Sequence, residues 1–156
     1  MTFLGLPDEK VADVNVENDG FFPDISVGHI QEIYRIPAEF ESGLVKNQLQ
    51  LSIAWANAQL VSWKAEQVAA GYETLKAIPA GIIGEDTEKE LHYKHAVCSH
   101  AKAELLPQYE SMIRAKSANR KSDVEGVETQ ADDFMKKAQT ALAALQGKST
   151  IAVEAM

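Results

Sequence analysis

Between Pro37 and Pro79 the chain carries its longest helical pattern, and that stretch limits what the whole can fold into. Val45, Leu49, Ile53, Ala56, Leu60 and Trp63 recur at steps of three and four, which puts them on one helical stripe. Phe40, Leu44, Leu51 and Trp55 widen that stripe, while Lys46, Asn47, Gln50, Asn57, Gln59 and Lys64 keep another face polar. Pro37 suits a first helical turn, Gly71 a left-handed stop, and Pro79 prevents quick resumption. The pattern predicts one rod of about thirty-four residues, Pro37–Ala70, roughly 50 Å long. A rod of that length needs partners along all of it.

At 156 residues the chain is long enough to bury a sizeable core as one domain. Its 24% charged and 46% hydrophobic residues are those of a soluble globular protein. A net charge of −8 argues against general nucleic-acid binding, which needs an excess of Lys and Arg. The single cysteine, Cys98, excludes an intramolecular disulfide and points to a reducing compartment. Neither a signal-peptide pattern at the N-terminus nor an apolar run of membrane-spanning length is present, so the expectation is a protein cytoplasmic where it is made, with no membrane partner.

Residues 1–20 hold Asp8, Glu9, Asp13, Glu17 and Asp19 against Lys10 and read as a flexible acidic arm, either disordered or ordering on a partner. Phe21-Phe22-Pro23 is a non-helical lead whose aromatics dock on a core or on a neighbouring subunit. Ser26 caps a short helix from Val27 to about Arg35. The connector 71–85 is apolar enough, through Tyr72, Leu75, Ile78, Ile82 and Ile83, to pack back on a bundle. Thr87-x-x-Glu90 has capping-box spacing, and Tyr93, Val97, Ala101, Leu105 and Tyr109 follow at steps of four until Pro107 kinks or ends the helix.

Arg114, Lys116, Arg120 and Lys121 form a basic patch, read as a solvated loop over 114–121. A last helix from about Asp123 to Gln146 carries Val127, Ala131, Phe134, Ala138, Leu142 and Leu145 on its stripe and stops at Gly147. Residues Ser149, Thr150, Ile151, Ala152, Val153, Glu154, Ala155 and Met156 lose the helical period; Ile151 and Val153 alternate as in a strand. Such a tail either frays or adds a strand to another chain. The expected fold is all-α: a helical bundle (21–147) with one long central helix, a flexible N-terminal arm (1–20) and an extended C-terminal tail (148–156).

His92, His95, Cys98 and His100 share one helix, but steps of three turn by about −60° each, so they cannot all face one ion. The Glu-x-x-His pairs of a carboxylate di-metal bundle are missing. No phosphate-binding glycine loop, GxSxG or HExxH occurs, so neither catalysis, a metal nor a cofactor is expected.

Three blocks in order, FFPDI at 21–25, NAQL to AAGYETLKAIPA at 57–80 with the following I-x-GE, and YKHAVCSHAKAELLPQY at 93–109, resemble the head-completion proteins of temperate phages with contractile tails, the GpL family. The resemblance covers roughly residues 21–146; it does not extend to the N-terminal arm and does not involve His92, His95 or His100. It implies a non-enzymatic head–tail connector, or adaptor, in the neck of the virion, assembled in the host cytoplasm. In that family a ring of about twelve copies sits under the portal protein, seals the DNA-filled capsid and offers the tail attachment site. Genomic DNA would pass through its channel without sequence-specific contacts. On that reading residues 149–156 contact the portal, and Arg114, Lys116, Arg120 and Lys121 meet a partner such as a tail-side neck or tail terminator protein. Phe21, Phe22, Trp55, Trp63 and Tyr72 are candidates for the interface between subunits. The residues by themselves leave a second reading open, a helical-bundle chaperone or peptide-binding adaptor.

Overall fold

A hairpin too short to show any period in the sequence begins the fold. In the computed structural model, which describes residues 14–116 and 121–148, Asn15–Val16 (β1) pairs antiparallel with Ile25–Ser26 (β2). Residues 14–20, assigned by their acidity to a flexible arm, are therefore part of the packed structure. Val16 is buried, and the Asp19 carboxylate accepts the N–H groups of Phe21 and Phe22 at 2.9 Å. The rest of that arm, 1–13, lies outside the described residues. β2 leads into Val27–Ile33 (α1), capped as expected by the Ser26 hydroxyl, which accepts the His29 N–H at 3.2 Å.

The rod expected over Pro37–Ala70 is divided. Residues 37–40 form a turn closed by the Phe40 N–H on the Pro37 carbonyl, Ser42–Gln59 is a helix (α2), and Val61–Ala69 is another (α3). Leu60 separates them at φ −103°, ψ 7°, outside the helical well, with its side chain fully buried. Val45, Leu49, Ile53, Ala56 and Leu60 do face the core, but the stripe stops there; α3 buries none of its residues. A Schellman closure follows at Gly71 (φ 102°), where the Tyr72 N–H bonds the Gln67 carbonyl at 3.1 Å.

The connector packs down through Leu75, in a 3₁₀ turn, and Ile78. Its far end does not. Ile82–Ile83 (β3) pairs with Asp86–Thr87 (β4) in a two-residue ribbon, leaving Ile82 75% and Ile83 56% exposed. The longest described helix, Glu88–Lys116 (α4, 29 residues), then opens on a reciprocal capping box. The Thr87 N–H donates to Glu90 Oε1 at 3.0 Å and the Glu90 N–H to Thr87 Oγ1 at 3.2 Å. Pro107 does not end α4. It is exposed while Leu105 and Leu106 are buried, so its ring faces water and costs one backbone bond, and the packed neighbours carry the helix through.

The basic stretch 114–121 is accordingly not a single loop. Arg114 and Lys116 end α4, Lys121 begins the last helix, Lys121–Leu145 (α5), and Arg120 lies outside the described residues. α5 packs back along α4 and closes at Gly147 (φ 78°), with the Lys148 N–H on the Ala143 carbonyl at 2.8 Å. The fold is mainly helical. Tyr93, Val97, Ala101 and Leu105 form the spine of α4 as their spacing predicts, between the buried stripe of α2 and Ala138, Ala141, Leu142 and Leu145 of α5. The expected tail, 149–156, lies outside the described residues.

Candidate interaction surfaces

Tyr93 ties the N-terminal hairpin to the bundle. Its hydroxyl donates to Asn57 Oδ1 at 2.6 Å and accepts from Asn18 Nδ2 at 2.8 Å, while Asn57 Nδ2 donates to Asn18 Oδ1 at 2.9 Å. The ring stacks on Phe22 with centroids 4.6 Å apart. Burial raises the pKa of the Tyr93 hydroxyl, which stays protonated and fixes this triangle. Phe21 and Phe22 are thus buried within the chain at 5% and 3% exposure and offer little surface to a neighbour.

Trp55 is half-buried, its indole stacked on the His100 imidazole at 4.1 Å. With Gln59, Gln139, Leu142, Ala143, Gln146 and Lys148 it lines a groove of about 410 Å³ between α2 and the end of α5, at the root of segment 149–156. His100 is buried, with Nδ1 2.8 Å from Ser52 Oγ and Nε2 3.9 Å from Glu104 Oε1. Burial lowers its pKa; the Glu104 carboxylate works in the opposite direction and does not prevail.

A histidine whose folded pKa lies below its unfolded value makes the unfolded state the better proton acceptor on acidification. Stability from His100 is therefore present above about pH 6.5 and declines as the pH falls below it, by at most ~1.4 kcal/mol per pH unit for one proton. Urea unfolding of the wild type between about pH 7.5 and 5.5 is expected to show such a slope, to which His95, whose pKa burial also lowers, contributes with the same sign, and His100→Gln is expected to reduce it. Equal slopes in the two proteins would remove His100 as the cause.

Trp63 and Tyr72 are partly buried against the core, and the Lys89 ammonium lies 5.6 Å from the Trp63 ring. Arg114 is exposed and paired with Glu110 at 2.8 Å. The end of α5 and the basic residues lie at different ends of the α4–α5 pair. Lys89, near the start of α4, donates to the carbonyl of Leu145 at 2.7 Å, so α5 ends beside the start of α4, while Arg114, Lys116 and Lys121 mark the other end of the pair. The 29 residues of α4 put these ends about 40 Å apart.

The histidines diverge as the spacing argues. His95 Nδ1 lies 2.6 Å from the Tyr34 hydroxyl, His100 turns to Ser52 and Trp55, and burial pushes the Cys98 thiol up to about 12. Among the described residues no three His, Cys, Asp or Glu side chains gather as a metal site. No helix among them is long and apolar enough to cross a membrane. A cleft of about 640 Å³ bounded by the first hairpin, α1 and α4, with Asp24, His29, Tyr34, Lys94 and His95 on its walls, escaped the sequence reading. Its walls come from residues as far apart as Asn15 and His95, and no local pattern brings them together.

A family model described as phage head completion protein (GPL) matches residues 16–156. The head completion/stabilization protein of Escherichia phage P2 is 27% identical over 133 residues, covering 85% of this chain and 78% of that one. The "Probable head completion/stabilization protein" of Haemophilus phage HP1 (strain HP1c1) is 26% identical over 136 residues, 87% of this chain and 88% of its own. No solved structure matches the chain significantly.

Proposed function

The chain belongs to the phage head completion protein (GPL) family, and on that premise we propose that it is the head–tail connector subunit itself: a structural, non-enzymatic protein that forms a ring beneath the portal of a DNA-filled head. Copies numbering about twelve surround the channel, seal it, and present the site on which the tail docks. Residues 149–156 reach the portal, and the basic end of the α4–α5 pair faces the tail-side protein. One observation supports this reading above others: Leu145, at the end of α5 that precedes 149–156, lies beside the start of α4, at the opposite end of the paired helices from Arg114 and Lys121, an arrangement that suits a subunit bridging two assemblies. The net charge of −8 suits a channel that DNA must slide through, since phosphates find few cations to hold them.

Removal of 149–156 tests it. The buried core among the described residues precedes the deletion and α5 is closed by Gly147 and Lys148, so the truncated subunit is expected to fold with unchanged helicity, which circular dichroism checks. Heads completed in its presence are expected to lack the subunit at the portal vertex and to remain tailless, as seen by electron microscopy of particles from infected cells. Normal tailed particles from the truncation would sink the assignment of the segment to the portal.

A further inference from the structure

The groove between α2 and the end of α5 has apolar walls and a rim of carboxamides. Trp55 is half-buried in it beside Leu142 and Ala143, Gln59, Gln139 and Gln146 border it, and no acid takes part in its lining. Lys148 lines it too. The closure of α5 accounts for that. Gly147 (φ 78°) turns the chain, the Lys148 N–H returns to the Ala143 carbonyl at 2.8 Å, and Lys148 comes to lie on the face that carries Gln139, Leu142 and Gln146. The described chain therefore stops inside the groove, with residues 149–156 still to follow.

Those residues have the composition of an occupant. Ile151 and Val153 alternate with Thr150, Ala152 and Glu154, so an extended segment sets both branched side chains on one side. Residues 149–153, extended, span about 16 Å, and α5 from Gln146 back to Gln139 spans about 10 Å, so the segment is long enough to run the groove. An extended backbone laid on a protein needs partners for its N–H and C=O groups. The exposed Gln59 and Gln139 can supply them, since each carboxamide carries donors and an acceptor. Gln146 Nε2 already donates to the Leu142 carbonyl at 3.1 Å, which leaves its oxygen to accept. A segment tethered at the groove meets it at an effective concentration on the order of mM, so a few apolar contacts suffice.

We propose that residues 149–156 seat in this groove of their own chain, extended, with Ile151 and Val153 against the Trp55 indole. The seat does not depend on the connector reading. Joined to that reading it adds regulation: the groove and the portal compete for one segment, so a free subunit keeps its portal-binding residues covered until a portal takes them, and docking uncovers Trp55.

Tryptophan fluorescence of the purified subunit tests it. The chain has two tryptophans, so Trp63→Phe leaves Trp55 as the reporter. In that background, ending the chain at Lys148 is expected to shift the emission to the red and to raise the acrylamide quenching constant. The full chain carrying Ile151→Ser and Val153→Ser is expected to match the truncation, with helicity by circular dichroism unchanged in both. In a Trp55→Phe background, where Trp63 reports, neither change should register. Equal emission and quenching with and without 149–156 would overturn the proposal, as would a serine variant that behaves like the intact chain. A difference that fades on dilution would mean that the groove takes the segment of a second copy, and would overturn it too. No portal enters the measurement, so its failure leaves the connector reading standing, and tailed particles from the truncation would leave the seat standing.

Discussion

Replacing Tyr93 by alanine is expected to lower the unfolding free energy by about 3–5 kcal/mol, the range for deleting a buried aromatic side chain. That is a large share of a stability on the order of 5–15 kcal/mol. Two contributions add. The ring is fully buried and stacked on Phe22, and its loss opens a cavity between α4 and the first hairpin. The hydroxyl is the shared vertex of the Asn18–Asn57 triangle, and its loss leaves the Asn57 carbonyl oxygen and the Asn18 amide short of a partner. Tyr93→Phe separates the two: it keeps the ring and should cost only about 1–3 kcal/mol, the penalty for part-buried polar groups left unmade. Urea unfolding with an unchanged m-value reads both. A neutral Tyr93→Phe would mean that water reaches the triangle and that stacking alone docks the hairpin.

Tyr93 also marks where the sequence was legible. The steps of four along α4, the capping box at Thr87 and Glu90, the Ser26 cap and the stop at Gly147 all depend on residues within a turn or two of each other. Each is written locally. Asn18 and Asn57 are not: a pair of asparagines thirty-nine residues apart becomes a site only when Tyr93 brings them together. The same holds for β1, whose two residues are a strand only because Ile25 and Ser26 lie opposite them. The division at Leu60 is another nonlocal outcome. Nothing in the run from Val45 to Ala70 breaks a helix by propensity, and the packing of a fully buried Leu60 prevails over continuation. The candidate surfaces were legible in part. The aromatic residues were picked out by type, and type does not tell a buried Phe22 from a half-buried Trp55. The exposed Ile82 and Ile83 were assigned inward because isoleucine usually is.

Leu49 and Leu51 carry that distinction to a second large effect. Apolar periodicity assigned both to one broad stripe of α2, but 200° of rotation separates positions two apart, and the structure puts Leu49 at 0% and Leu51 at 57% exposure. Leu49→Ala should destabilise the chain by about 2–5 kcal/mol, through lost burial and the cavity left in the core. Leu51→Ala should fall within about 0.5 kcal/mol of wild type, since water already surrounds that side chain. With a transition shift of about 2–4 °C per kcal/mol at this chain length, thermal scans of the two variants resolve them readily.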